Sequence, residues 1–169
     1  MLRTDGFPHD MSGAARPLRA DTAATFHRSW AEDLDAATLY QLLRLRTEIF
    51  VVGQALWEPE LDGRDLLADT RHFWLQGAGG EMLATLRLLE QHPGTEKVFR
   101  IDRVCTKKGV RRRGHASRLL QAALADVGGY RCQISVQTHL EDMYSHHGFV
   151  RDGEEYLDDD IPYLPMVKP

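Results

Sequence analysis

Apolar positions along this chain change period several times, and each change marks an element. Thr25–Trp30 places Phe26, Arg28 and Trp30 on alternate positions, which predicts a short strand. From Asp35, a suitable N-cap, Leu39, Leu42, Leu43, Arg46, Ile49 and Phe50 recur at three- and four-residue steps, the spacing of a helix with one face turned inward. Residues 53–70 lose that periodicity. With Pro59, Gly63 and several acidic side chains they read as a long loop or broken helix, and long loops in compact domains are often functional. Two apolar segments, His72–Gln76 and Met82–Glu90, flank Gly-Ala-Gly-Gly and predict a hairpin whose glycines supply the positive φ of a tight connection. A turn at His92–Thr95 leads into a strand, Val98–Thr106, in which Val98, Arg100, Asp102 and Val104 alternate with Phe99, Ile101, Arg103 and Cys105.

Helical spacing returns after Arg113, where Ala116, Leu119, Leu120, Ala123, Leu124 and Val127 form one apolar stripe that Gly128 and Gly129 end. Arg131–Gln137 predicts a strand, Leu140–His146 a short helix, Gly148 a turn and Phe149–Arg151 another strand. An acidic turn over residues 152–162 precedes a last strand, Tyr163–Lys168. This order describes a single α/β domain without internal repeats, assigned to residues 26–169, with residues 1–25 as a flexible N-terminal tail.

Composition narrows the class. The 169 residues are 43% apolar and 27% charged with a mean hydropathy of −0.40, and a chain of this length buries roughly 70% of its unfolded surface, enough for a core without staples. Cys105 and Cys132 stand in apolar runs without ligand spacing, so reduced thiols and a cytoplasmic location are expected, and no metal. A net charge of −4 argues against a polyanion-binding surface. No stretch approaches the ~18 apolar residues that span a bilayer, and the first 25 residues hold no signal-like apolar core. Neither nucleic acid nor membrane is therefore an expected partner.

Local charge is less even than the average. Lys107, Lys108, Arg111, Arg112 and Arg113 crowd the turn between the strand ending at Thr106 and the following helix, and Gly114 lets the backbone approach a ligand there. The first N–H groups of a helix lack intrahelical partners and carry partial positive charge, so a phosphate or pyrophosphate suits this turn. It is neither a Walker A loop nor a dinucleotide fingerprint.

Arg111-x-x-Gly114-x-Ala116 matches the Gln/Arg-x-x-Gly-x-Gly/Ala signature of the GCN5-related N-acetyltransferases, and about 30 residues on, Tyr144-Ser-His-His-Gly148-Phe149 resembles their Tyr-x-x-x-Gly-Phe. Residues 39–54, Asp62-Gly63-Arg-Asp65, Arg71-His72, Leu86-Arg87 and Gln137-Thr-His139-Leu140 resemble the ElaA-type subgroup, so that the likeness spans roughly residues 26–168. Gly53 departs from it, standing where that subgroup is expected to carry Glu. The resemblance implies a mixed, mostly antiparallel sheet flanked by helices, and acetyl-CoA as co-substrate with no metal. It implies cofactor contacts from Val104, Cys105 and Thr106 and from Arg111, Arg112, Arg113, Gly114, His115, Ala116 and Ser117. A small-molecule or peptide amine would be the acceptor in a ternary complex, on a monomer or homodimer.

Acetyl transfer needs a free amine, donors for the developing oxyanion and an acid for the leaving thiolate. The resemblance puts the Val104 N–H at the thioester carbonyl and makes Tyr144 the acid, a downhill transfer only if its site lowers a phenol pKa near 10. Glu48, His72 and His139 are each candidates for the base. Glu58, Glu60, Asp62, Asp65 and Asp69 suggest an acidic loop that selects a cationic acceptor. Two further readings stand beside this one: a non-catalytic acyl-CoA-binding sensor or interaction module, and nucleic-acid binding through Arg111–Arg113, which the net charge disfavours.

Overall fold

The computed structural model describes residues 24–54 and 59–169. Eight strands form one sheet: β1 Thr25–Trp30, β2 Thr70–Gln76, β3 Met82–Gln91, β4 Val98–Thr106, β5 Cys132–Gln137, β6 Val150–Arg151, β7 Tyr156–Asp158 and β8 Ile161–Lys168. Their order is β1-β2-β3-β4-β5-β8-β6, with β7 also paired to β8. Every pair is antiparallel except β4–β5. The helices are α1 Ala36–Arg46, α2 His115–Val127 and α3 Glu141–Ser145. Of the tail expected over residues 1–25, residues 1–23 lie outside the described residues, and Thr25 already belongs to β1.

Hydrophobic burial holds a layer on each face of the sheet. The α2 stripe (Leu119, Leu120, Ala123, Val127) packs with Phe73, Leu75, Leu86, Leu88, Phe99 and Ile101 in the larger core. On the other face Leu42, Leu45 and Ile49 pack with Trp74, Met82 and Cys105. Covered on both sides, β3 is buried from Met82 through Leu89, which explains its near-continuous apolar run. Helix α1 starts as expected, with the Asp35 carboxylate accepting from Thr38 N at 2.9 Å, and runs on through a π-helical turn over Thr47–Val52.

Two local departures from simple periodicity shape the site. The pattern predicts only a turn over residues 152–162, but Tyr156–Asp158 pairs with Ile161–Tyr163 as a hairpin whose two connecting residues, Asp159 and Asp160, both have positive φ (46° and 62°). That is the backbone of a type I′ connection, which Asp tolerates. In β4 the register against β3 shifts between Thr85↔Cys105 and Arg87↔Asp102, so Arg103 and Val104 share one place opposite Leu86. Arg103 takes φ 52° in this bulge. The bulge inverts the expected alternation: Val104 joins the core face of Phe99 and Ile101, and Cys105 turns to the α1 face.

Candidate active site

The parallel ladder between β4 and β5 consists of Phe99↔Cys132 and Arg100↔Gln133 and then stops, because the strands diverge. Beyond Arg100 the β4 main chain has no strand partner on that side among the described residues. The gap is the mouth of a cavity of about 690 Å³ that runs through the sheet. Residues of alternate parity line its two sides. Val104, Ile134, Val136, Leu140 and Tyr144 belong to or pack against the α2-side core, while Arg100, Asp102, Ser135, Gln137 and Tyr163 line it from the opposite face.

Below the divergence, the chain leaving β4 makes the basic turn. Arg112 (φ 62°) and Gly114 (φ 78°) both adopt left-handed backbone, and Gly114 caps α2 without any side-chain hydrogen bond. The first intrahelical bond there runs from Arg118 N to Gly114 O at 3.0 Å, leaving the N–H groups of His115, Ala116 and Ser117 without helical acceptors. A Cβ on Gly114 would meet nothing within 4 Å, so the turn needs glycine for its φ and not for space. Arg111 Nε donates to Thr106 O at 3.2 Å, tying the turn back to β4. His147 on the loop after α3 lies 3.2 Å from Ser117 Oγ, which joins the Tyr144 segment to the first turn of α2.

Tyr144 is buried, lines the cavity and meets Phe149 edge-on at 6.1 Å and 87°. Gly148, at φ 89°, makes the turn that brings Phe149 back beneath it. Burial pushes the Tyr144 phenol above its ordinary pKa of 10. The site therefore does not acidify it.

The structure does not bring the expected base candidates to this cavity. Glu48 pairs with Arg44 at 3.1 Å and lines a separate depression with Tyr40, Glu81 and Lys107. His72 is buried and donates Nε2–H to the main-chain carbonyl of Asp65 at 2.9 Å, and burial lowers its pKa. His139 is exposed on the turn before α3. Burial also pushes Cys105 and Cys132 up to about 12, so neither is a thiolate near neutrality.

The acidic loop is not the open anionic surface expected of it. Buried Arg87 donates to Asp102 at 2.8 Å through both Nε and Nη2, to Asp62 at 2.8 and 2.7 Å, and to Asp65 at 3.1 Å. Buried Arg46 binds Asp65 at 2.5 and 3.2 Å and pairs with Glu60. Arg103, aimed by the bulge, reaches Glu60 at 3.0 Å and Asp62 at 3.5 Å. Three guanidiniums thus neutralise most of four carboxylates and fasten the loop over the bulge. Although burial opposes the charge on Arg46 and Arg87, these partners hold both pKa values above the ordinary one. The hydrogen bond from Arg87 holds the Asp62 carboxyl well below the usual range. Glu58 lies outside the described residues, and Asp69 is exposed. At Gly53, a Cβ would lie 2.6 Å from Ile49 O, so the Glu of the subgroup pattern would require this turn to rearrange.

A sheet splayed beside a bulged strand, with an uncapped helix start at its foot, suits an extended ligand that carries a phosphate, and similarity to known proteins identifies the class as acyl-CoA-dependent N-acyltransferase. The chain belongs to the GNAT family: residues 51–169 match the family model of the acetyltransferase (GNAT) domain. It is 63% identical over 142 residues to a UPF0039 protein of Mycobacterium tuberculosis, covering 84% of this chain and 91% of that protein. It is 31% identical over 140 residues to protein ElaA of Escherichia coli, covering 80% and 90% of the two chains. Its structure resembles an acyl-CoA N-acyltransferase from Pseudomonas aeruginosa (TM-score 0.81, 35% identity, 87% of this chain and all of that one). The crystal structure of Escherichia coli ElaA follows at TM-score 0.80 and 26% identity, with the same coverage. The protein is an ElaA-type acyltransferase. Among the described residues no helix is long and apolar enough to cross a membrane.

Proposed function

We propose that the protein transfers the acetyl group of acetyl-CoA directly to a primary amine, both substrates being bound at once. The observation that carries this reading is the cavity passing between β4 and β5: a thioester can enter from the α2 side and an amine from the other. The pyrophosphate would sit on the N–H groups of His115, Ala116 and Ser117, with Arg111, Arg112 and Arg113 raising the local potential. The pantetheine arm would then pair with the unpartnered β4 edge over Val104, Cys105 and Thr106.

In the reaction the amine attacks the thioester carbon, and the Val104 N–H stabilises the oxyanion as the tetrahedral intermediate forms. Collapse breaks the C–S bond, and the thiolate takes a proton from the Tyr144 hydroxyl. Burial keeps that phenol protonated, and the same dry wall raises the basicity of the thiolate, so the proton still has a reason to move. The incoming ammonium gives up one proton to solvent before attack, since Glu48 and His72 stand elsewhere, and the second proton, lost from the nitrogen as the amide forms, passes through solvent to the Tyr144 phenolate and restores the acid. Buried, protonated Cys105 is unsuited to an acetyl-cysteine relay, which favours direct attack.

Tyr144→Phe tests the assignment. Turnover, followed by thiol release with an amine panel, should fall at least tenfold while the acetyl-CoA Kd stays within about twofold. Unchanged turnover would remove Tyr144 from the chemistry.

A further inference from the structure

We propose that Arg100 binds a carboxylate on the acceptor, so that the amine acetylated here is amino-acid-like and not a simple cation. This inference rests on the acetyl-transfer reading above and names its substrate class. On the acceptor wall Glu60, Asp62 and Asp102 are engaged by Arg46, Arg87 and Arg103, so the acidic loop offers little free negative charge. Arg100 differs from those arginines. It is half-buried on the last rung of the β4–β5 ladder and lines the cavity, and its guanidinium makes no hydrogen bond or ion pair with any described residue. A guanidinium drawn partly out of water without a partner is costly, and its planar fork matches a carboxylate in bidentate fashion.

Position agrees with charge. Four residues of strand, roughly 13 Å, separate Arg100 from Val104, so a guanidinium leaning along β4 and an amine beside the bulge are spaced for one small molecule bearing both groups. Across the cavity Tyr156 and Tyr163 stack at 6.0 Å and offer an aromatic surface for the rest of that molecule. A polyamine would bring another cation against Arg100.

The test compares each amino acid with its decarboxylation product: tyrosine with tyramine, tryptophan with tryptamine, and histidine with histamine. Thiol release from acetyl-CoA is measured for the wild type, Arg100→Gln and Arg100→Lys. The expected result is a kcat/KM at least tenfold higher for one or more of the amino acids than for its decarboxylated partner. In Arg100→Gln that ratio should fall to about one through KM, with the acetyl-CoA Kd unchanged, and Arg100→Lys should retain part of it. Three results overturn the proposal: a decarboxylated amine used as well or better, a ratio that survives Arg100→Gln, or no amino acid turned over by protein that binds acetyl-CoA. A wild type that fails to bind acetyl-CoA would instead overturn the transfer reading itself.

Discussion

Arg87→Met probes the charge network that fastens the loop over the bulge. The Arg87 side chain is 1% exposed and directs its donors at Asp62, Asp65 and Asp102, whose own exposures are 24%, 8% and 13%. Methionine keeps much of the volume and removes the charge, taking away the guanidinium that binds Asp102 and leaving Glu60, Asp62 and Asp65 to Arg46 and Arg103. Removing one partner of a buried pair costs about 3–5 kcal/mol, because the remaining charge stays desolvated. Asp62 and Asp102 border the cavity, where water can reach them, so the lower end, about 3 kcal/mol, is expected here. For a domain of this size that is a drop in Tm of about 6–12 °C. Urea unfolding should show the midpoint falling at unchanged slope, the signature of lost stability without a change in the surface exposed. Arg87→Lys should lie between, since an ammonium cannot fork between two carboxylates. If Arg87→Met came within about 1 kcal/mol of the wild type, the loop would not be held by this network.

Acid should destabilise the fold in two stages. The folded pKa of His72 is lowered by burial, and those of Asp65 and Glu90 are lowered where their arginine and lysine partners outweigh burial, so the unfolded chain takes up protons first in each case. The unfolding free energy should be level between about pH 7 and 8, decline as pH falls through about 6.5, and fall more steeply below about 4; His72→Gln should flatten the first decline, and stability rising from pH 7 to 5 would contradict the assignment. With both thiols pushed up to about 12, only ~10⁻⁴ of each is thiolate at pH 8, so iodoacetamide should leave the native protein unlabelled and modify Cys105 and Cys132 in urea. Rapid labelling of either in the native state would refute that burial.

Features set by neighbouring residues were legible in the chain, and those set across the sheet were not. The 3.6-residue stripe of α2 and the Asp35 cap of α1 are local properties, and they stand where the pattern put them. The bulge is not local. Arg103 carries no glycine-like signal for its φ of 52°, so strict alternation placed Val104 beside Asp102, whereas the pairing with β3 puts it beside Ile101. The two Asp residues at positive φ were the only hint of the β7–β8 hairpin, and among so many acidic neighbours they read as a solvated turn. The acidic loop misled for a related reason: its partners Arg46 and Arg87 lie far away in sequence, and Arg46 was concealed within an apolar stripe. An arginine on the inward face of a helix is itself the signal, because it must be buried with counter-charges. The phosphate turn was legible because its chemistry is contiguous: strand end, cationic run, glycine and helix start within a dozen residues. The acceptor wall was not, since Arg100, Gln137, Tyr156 and Tyr163 meet only when the sheet assembles and then splays.

Calorimetric titration of the protein with acetyl-CoA, paired with Gly114→Ala, asks whether the coenzyme sits at the α2 turn at all. Saturable one-to-one binding that weakens with added salt is expected, as is a loss of about tenfold or more in Gly114→Ala, which strains the left-handed backbone (φ 78°) that sets the first turn of α2. No heat of binding at millimolar acetyl-CoA, or undiminished affinity in Gly114→Ala, would contradict the placement of the coenzyme on which the mechanism depends.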